Sequence, residues 1–399
     1  MVQDREGAYG FGVKQAPVTT RSVEAATRAA ERSATTGDLF EAVGAEVVKA
    51  VPHDAAMWFA LDPTTGFAAA PARFENLDES LCDVFWHHEF HDHDATLFRD
   101  MIRDGVPAAS MRIATDDRPM RSVRWREFLR PQGYDDEVRI VFRTGDSAWA
   151  VGALMRDAGR PAFDKGEIEL LTRISAAVSP ILRSQAAAAG AGPVLGSASA
   201  PGLLLFSTDG QFLSANPEAE HWLDEVCGPA TEEAVGWSTM LAHPFRRDLD
   251  APTALVALLA SARAVADGVE SGPCRLRLRT WSGRWLVLHA STLGAPLGGD
   301  AAPGVIAVVI EPATSSDIAP IVIEAYGLSP REREVVRAIA RGSSTPEIAS
   351  ALFLSPHTVR DHVKAIFEKV GVSSRGELVA KLFAEHYLDP FHADAAHVG

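Results

Sequence analysis

Two stretches of this 399-residue chain concentrate side chains able to do chemistry, and the chemistry differs. Toward the carboxyl terminus, His357, Asp361, Lys364 and Glu368 recur at helical spacing, with Thr358, His362 and Lys369 on one edge and Arg360 on the other. A face that mixes donors and acceptors in this way suits hydrogen bonding to base edges and phosphates. Nearer the amino terminus, His87-His88-Glu89-Phe90-His91-Asp92-His93-Asp94 gathers imidazoles and carboxylates, the ligand types of divalent metals. His88 and His91 are the candidate ligands, but their spacing is one residue short of the His-Glu-x-x-His of zinc hydrolases. On that spacing the pair would not share a helix turn as the zinc site requires, so a polar loop or helix cap is the plainer account. No Ser/His/Asp or Cys/His arrangement stands out as catalytic.

The polar face near residue 360 sits among strong helix signals. Ser355 places a capping hydroxyl before Pro356, which suits a first helical position because the missing N–H has no partner to lose there. Val359, Val363, Ile366 and Val370 then form one buried stripe opposite the polar side chains. Upstream, Ser329-Pro330-Arg331-Glu332 is a capping box whose helix buries Val335, Val336 and Ile339 and stops near Gly342. Thr345-Pro346 starts a short second helix with Ile348, Ala349 and Leu352 inward. Only Phe353 and Leu354 separate it from Ser355, which predicts a tight helix-turn-helix. Gly371 ends the exposed helix. Ser374 and Glu377 cap a fourth, whose Leu378, Val379, Leu382 and Phe383 close the core or face a second copy of the chain.

The segments LSPREREVV (Leu328–Val336), IARG (Ile339–Gly342), EIA (Glu347–Ala349), LSPHTVRDH (Leu354–His362) and KVGVSSR (Lys369–Arg375) together resemble the LuxR-type (GerE-like) DNA-binding domain. The resemblance runs without a gap over about Tyr326 to Tyr387. It implies an all-α four-helix fold, a bacterial transcription regulator, and dimers on double-stranded DNA. The family's base-reading positions fall on Arg360, Asp361 and Lys364. Asp361 departs from the usual apolar residue there; a carboxylate can accept from a cytosine amino group or orient Arg360. Thr358, His362, Lys369 and Arg375 are the expected phosphate contacts.

Charge supports this only when read locally. The chain carries −15 overall, which by itself disfavours a nucleic-acid partner. Between Tyr326 and Tyr387, however, nine Lys/Arg face seven Asp/Glu, a net +2, which leaves −17 for the rest. Modest DNA affinity per domain follows, with dependence on dimerisation and on salt.

The remaining length predicts two further domains. A run of small residues over 186–201 reads as a flexible linker. Before it, 22–185 has a GAF-like α+β outline: a helix from Asp38, a strand Ala56–Leu61, paired strands Glu137–Phe142 and Ala148–Met155, and a helix capped by Asp164 and Glu167. After it, 202–312 is PAS-like. Gly202–Phe206, Phe212–Ala215, Arg275–Arg279, Leu286–His289 and Val305–Ile310 are its strands, and Asn216-Pro217 opens its helix. Alternation in Arg275-Leu-Arg-Leu-Arg279 turns Leu276 and Leu278 inward and the arginines to water. Trp281 and Trp285 either line a pocket or pack in the core. No internal repeat is visible. Residues 1 to about 20 and 389–399 read as tails, and the DNA-binding domain spans 326–388.

Several classes are disfavoured. There is no G-x-x-x-x-G-K-[ST], no phospho-receiver pattern, no acyl-homoserine-lactone sensor pattern, and no apolar run of membrane-spanning length. Three scattered cysteines fit a reduced, cytoplasmic protein. The expected protein is a non-enzymatic one-component regulator without a cofactor and without a membrane. Its expected partners are double-stranded DNA, a second copy of the chain, RNA polymerase, and an unidentified small-molecule or protein effector. The rival reading is a signalling enzyme or metal-responsive protein whose His87–His93 cluster binds metal.

Overall fold

A computed structural model describes residues 16–77, 82–190, 200–227, 251–280, 283–293 and 304–384. Expectations placed on Trp281, on 191–199, on 1–15 and 389–399, and on the Phe383 side chain lie outside the described residues.

The first unit contains helices α1 (Ala16–Arg32), α2 (Thr36–Ala50), α3 (Cys82–His91), α4 (Phe98–Asp104), α5 (Met111–Ala114) and α6 (Lys165–Gly190). Its strands β1 (Ala55–Leu61), β2 (Ala68–Glu75), β3 (Ala108–Ser110), β4 (Tyr134–Thr144) and β5 (Ser147–Asp157) form one antiparallel sheet in the order β2-β1-β5-β4-β3. β1 is apolar at every position because both faces are covered. Ala56 and Trp58 join the cluster that includes α2 and α6, whereas Met57 and Phe59 pack with α3. Gly152 pairs with Trp58 across the sheet, and a Cβ there would lie 2.6 Å from the indole ring. Only glycine lets that ring lie flat on β5.

Three boundaries differ from the sequence reading. α1 begins at Ala16, inside the expected tail, and α6 runs to Gly190, five residues into the expected linker. The second extension follows from Ala186–Ala189, which are the strongest helix formers. α2, expected from Asp38, begins two residues earlier at Thr36, with Thr35 as its cap and Asp38 as the capping-box partner.

The second unit holds β6 (Gly202–Ser207), β7 (Phe212–Ala215), α7 (Pro217–Cys227), α8 (Ala251–Ala266), β8 (Cys274–Arg279), β9 (Trp285–Leu293) and β10 (Val305–Pro312). Its antiparallel order is β7-β6-β10-β9-β8. Counted within each unit, both sheets run second, first, fifth, fourth, third, a repeat of topology that no repeat of sequence announces. α8 is buried on every side of its middle turns, and that binds the units together. Leu255, Leu258 and Leu259 face its own sheet, while Val256, Ala257, Ala260 and Ala264 join the α3 cluster of the first unit.

One expectation about β8 is corrected here. Leu276 and Leu278 do point inward, but Arg277 does not face water. It is buried against the first unit, with its guanidinium 2.8 Å from Asp62 and 2.6 Å from Thr64 Oγ1. Alternation set the side of the sheet correctly; the β1–β2 turn then covers that side.

The first unit also buries charge. Arg124 and Arg139 share Glu137 Oε2 at 2.6 and 3.2 Å, Arg139 reaches Glu89 at 2.7 Å, and both arginines are fully buried. Burial alone would raise the pKa of Glu137, but the two guanidinium groups outweigh it and hold the carboxyl below its ordinary range.

After β10 comes α9 (Ser315–Ala325), packed on α6, then α10 (Pro330–Ala340), α11 (Thr345–Ala351), α12 (Pro356–Val370) and α13 (Arg375–Val379). α9 belongs to the same continuous apolar cluster as α6 and the terminal helices, through Ile318, Ile321 and Val322.

Candidate nucleic-acid interface

α10 starts where its capping box lies. Ser329 Oγ accepts from Glu332 N at 3.2 Å, and the Glu332 carboxylate accepts from Ser329 N at 2.6 Å. α11 uses the same device one residue earlier than expected. Ser344 is its cap, paired with Glu347, and Thr345 is already helical. Leu352 and Phe353 then turn the chain, with Leu354 N donating to Ala349 O at 2.8 Å. Phe353 takes φ 55°, in the left-handed region that favours glycine, and leaves its ring 96% exposed. Arg331, unremarked in the sequence, clamps the turn by donating to Leu352 O at 2.6 Å.

α12 is the helix the spacing predicts. Ser355 Oγ accepts from Thr358 N at 3.0 Å, Pro356 holds the first position, and Gly371 ends the helix at φ 71°. Val359, Ile366 and Val370 are buried; Val363 and Phe367 are half-buried against the same core. That stripe turns Arg360, Asp361 and Lys364 outward, and all three are exposed. Among the described residues Arg360 has no ion pair or hydrogen bond, while Lys364 stands 3.9 Å from Glu368. Asp361 does not orient Arg360; its carboxylate meets His357 Nδ1 at 2.9 Å. An open groove of about 740 Å³ runs beside this face, lined by Arg360, Lys364, Phe367 and Arg375.

The expected phosphate contacts divide into two kinds. Thr358 and His362 are half-exposed on the edge of α12. Lys369 and Arg375 are tied into the domain instead. Lys369 Nζ lies 2.6 Å from Glu332 and 3.4 Å from Gly327 O. Arg375 donates to Ser343 O at 2.9 Å and Thr345 Oγ1 at 2.8 Å. Although burial raises the Glu332 pKa, Lys369 and Ser329 together bring it below its ordinary value. Each cation thus joins two helices and still has N–H groups to spare.

Leu378 and Leu382 close the core rather than face outward; both are fully buried, and the turn Ala380–Ala384 packs on α9.

The histidine cluster has a different character. His87, His88 and His91 lie on helix α3, not in a loop, because Trp86 and Phe90 anchor it in the core. His88 Nδ1 meets Asp92 at 2.5 Å, and His91 Nε2 approaches Asp267 of the second unit at 3.4 Å. His87 and His91, four residues apart like the histidine pair of the zinc hydrolases, stack at 4.3 Å on one face of α3. Burial and the two neighbouring imidazoles lower the His87 pKa. Among the described residues no group of three or more His, Cys, Asp or Glu is placed to hold a metal ion. No helix among them is long and apolar enough to cross a membrane.

The family profile and the curated relatives match the terminal helices. The profile "Bacterial regulatory proteins, luxR family" matches residues 327–382. A probable transcriptional regulatory protein, NarL, of Mycobacterium tuberculosis is 48% identical over 62 residues, which cover 16% of this chain and 29% of that protein. The spore germination protein GerE of Bacillus subtilis is 44% identical over 55 residues, 14% of this chain and 74% of that protein. The phage VqmA–DPO complex is 22% identical and covers 45% of this chain and 79% of its own, with a TM-score of 0.23. The capped helices, the two-helix turn and this profile converge on one conclusion: residues 327–382 form a helix-turn-helix domain of the luxR family of bacterial regulatory proteins.

Proposed function

We propose that the chain is a transcription regulator that binds specific double-stranded DNA through α12 as a homodimer in the cytoplasm. The observation that carries this is the exposed trio Arg360, Asp361 and Lys364 on a helix whose opposite stripe is buried. A helix with its donors outward and its start locked by a cap fits the major groove without rearrangement. Arg360, Asp361 and Lys364 are then the base-reading residues. Thr358 and His362 contact phosphate, and Lys369 and Arg375 offer it their remaining N–H groups from anchored positions. The second copy does not use Leu378 and Leu382 as they are arranged here, since both are already covered.

The two upstream α+β units act in this reading as GAF-like and PAS-like sensor modules, with no enzymatic role, and RNA polymerase is a further partner. Support for a sensor role is their continuity with the DNA-binding domain through α9. Its Glu324 bonds Ser147 of the first unit at 2.5 Å and also pairs with Arg333 of α10.

Selection of bound sequences from a random duplex pool with the intact protein tests this. The expected result is a two-part consensus with half-sites about one duplex turn (~10 base pairs) apart. Absence of enrichment even at low salt overturns the proposal.

A further inference from the structure

Between the two upstream units and α9 lies a cavity of about 620 Å³, within the size range of pockets that bury small organic ligands. Elements far apart in the chain build it. Trp149 comes from β5, Leu182 and Gln185 from α6, Trp285 from β9 and Ile321 from α9, while Arg279 lies at the end of β8. The apolar part of the wall is broad and includes two indole rings, so the space suits a planar or aliphatic body. Its polar part is unevenly satisfied. Arg277 in the wall is neutralised by Asp62, and Gln185 is used by Thr36 and Ser33 O. Arg279 is not: its Nε donates to Gly283 O at 3.0 Å, and no carboxylate pairs with it among the described residues. Its side chain is exposed at the edge of the cavity, and partial burial lowers its pKa with no anion to offset it. The indole N–H of Trp149 is buried and also lacks an acceptor among the described residues.

We propose that this cavity is the effector site of the protein and that it takes a small organic anion, a carboxylate or similar acid on an apolar body. The acid group meets Arg279, and the body fills the space between Trp149, Trp285 and Ile321. Because Ile321 belongs to the helix that leads into the DNA-binding domain, an occupant touches the element that positions α10. This inference rests on the regulator reading above and adds the place and chemistry of the signal.

Calorimetric titration of the full chain with 2-naphthoate and with 2-naphthamide tests it, since the two probes differ in charge but little in shape. The naphthoate is expected to bind once per chain and about tenfold more tightly than the amide, the size of one charge-assisted hydrogen bond. Arg279→Gln should erase that preference while keeping the amide's affinity. Ala186→Phe, which fills the cavity from a half-exposed helix position, should remove both. Saturating naphthoate should shift affinity for the selected duplex about fivefold or more. Equal affinities for acid and amide, an unchanged Arg279→Gln titration, or unchanged DNA affinity overturns the assignment. Naphthoate that does not bind to a protein still selecting DNA sinks the cavity and spares the regulator reading; naphthoate that binds without DNA selection does the reverse.

Discussion

Arginine is used in opposite ways at the two ends of this molecule. In the first unit Arg124 and Arg139 are wholly buried and share the Glu137 carboxylate, so their charge organises a core. In the terminal domain Arg360 is exposed and unpaired among the described residues, so its charge is free for a partner. Burial makes a charge costly unless its partner is in place, whereas an exposed charge adds little to folding and can be given to recognition. Substitutions in the first region should therefore cost stability, and substitutions in the second should cost DNA preference.

The largest effect expected on that contrast comes from Glu137→Ala. It strands the buried Arg124 guanidinium, leaves Arg139 with Glu89 alone, and should lower unfolding free energy by roughly 3–5 kcal/mol in denaturant melts. A loss under about 1 kcal/mol would show that water reaches the network and would dissolve the contrast.

Asp136, next to that carboxylate, gives a second test. Burial pushes its pKa up to about 6 despite accepted bonds from Phe163, Glu137 and Arg112 backbone N–H groups. The folded chain therefore keeps a proton that the unfolded chain releases near its ordinary value of 3.8. The stability contributed is full below that value and declines as pH rises through about 6, by on the order of 3 kcal/mol. Melts of the parent and Asp136→Asn across this window should converge or cross; a gap independent of pH contradicts the assignment.

Lys364→Ala should leave the melt unchanged. Its expected effect is on discrimination at one base position, about 1–3 kcal/mol, read by competition between single-base variants of the selected site. Uniform weakening across all variants would make Lys364 a phosphate contact instead. Lys369→Ala falls between the two regimes, because its ammonium holds Glu332 and also faces solvent. A stability loss of about 1 kcal/mol together with an equal loss of affinity for every duplex is expected. Loss of affinity alone would mean that the Glu332 contact adds nothing to folding.

How much of this could be read beforehand depends on how local each signal was. Ser329 with Glu332 and Ser355 with Pro356 lie within a few residues of the atoms they satisfy, as does Gly371, so the terminal helices were legible with their ends. α9 carries a similar signal in Thr314 and Asp317, yet Pro320 lies inside it, where a proline ordinarily argues against a helix. α8 escaped for another reason: a helix apolar on all sides has no stripe to detect. The shared strand order of the two units has no sequence repeat behind it, since many apolar patterns satisfy one topology.

From the order of residues alone come the cap hydroxyls, the glycine stops, the valine stripe and hence the outward face of Arg360 and Lys364. These depend on hydrogen bonds and periodicity within a few turns. Folding in three dimensions settled the rest. It set Arg277 against Asp62, 215 residues away, locked Lys369 to Glu332, covered Leu382 with α9, and gathered Trp149, Trp285 and Ile321 around one space. Such contacts depend on which surfaces meet, and a linear pattern encodes the sidedness of a surface without encoding what will lie across from it.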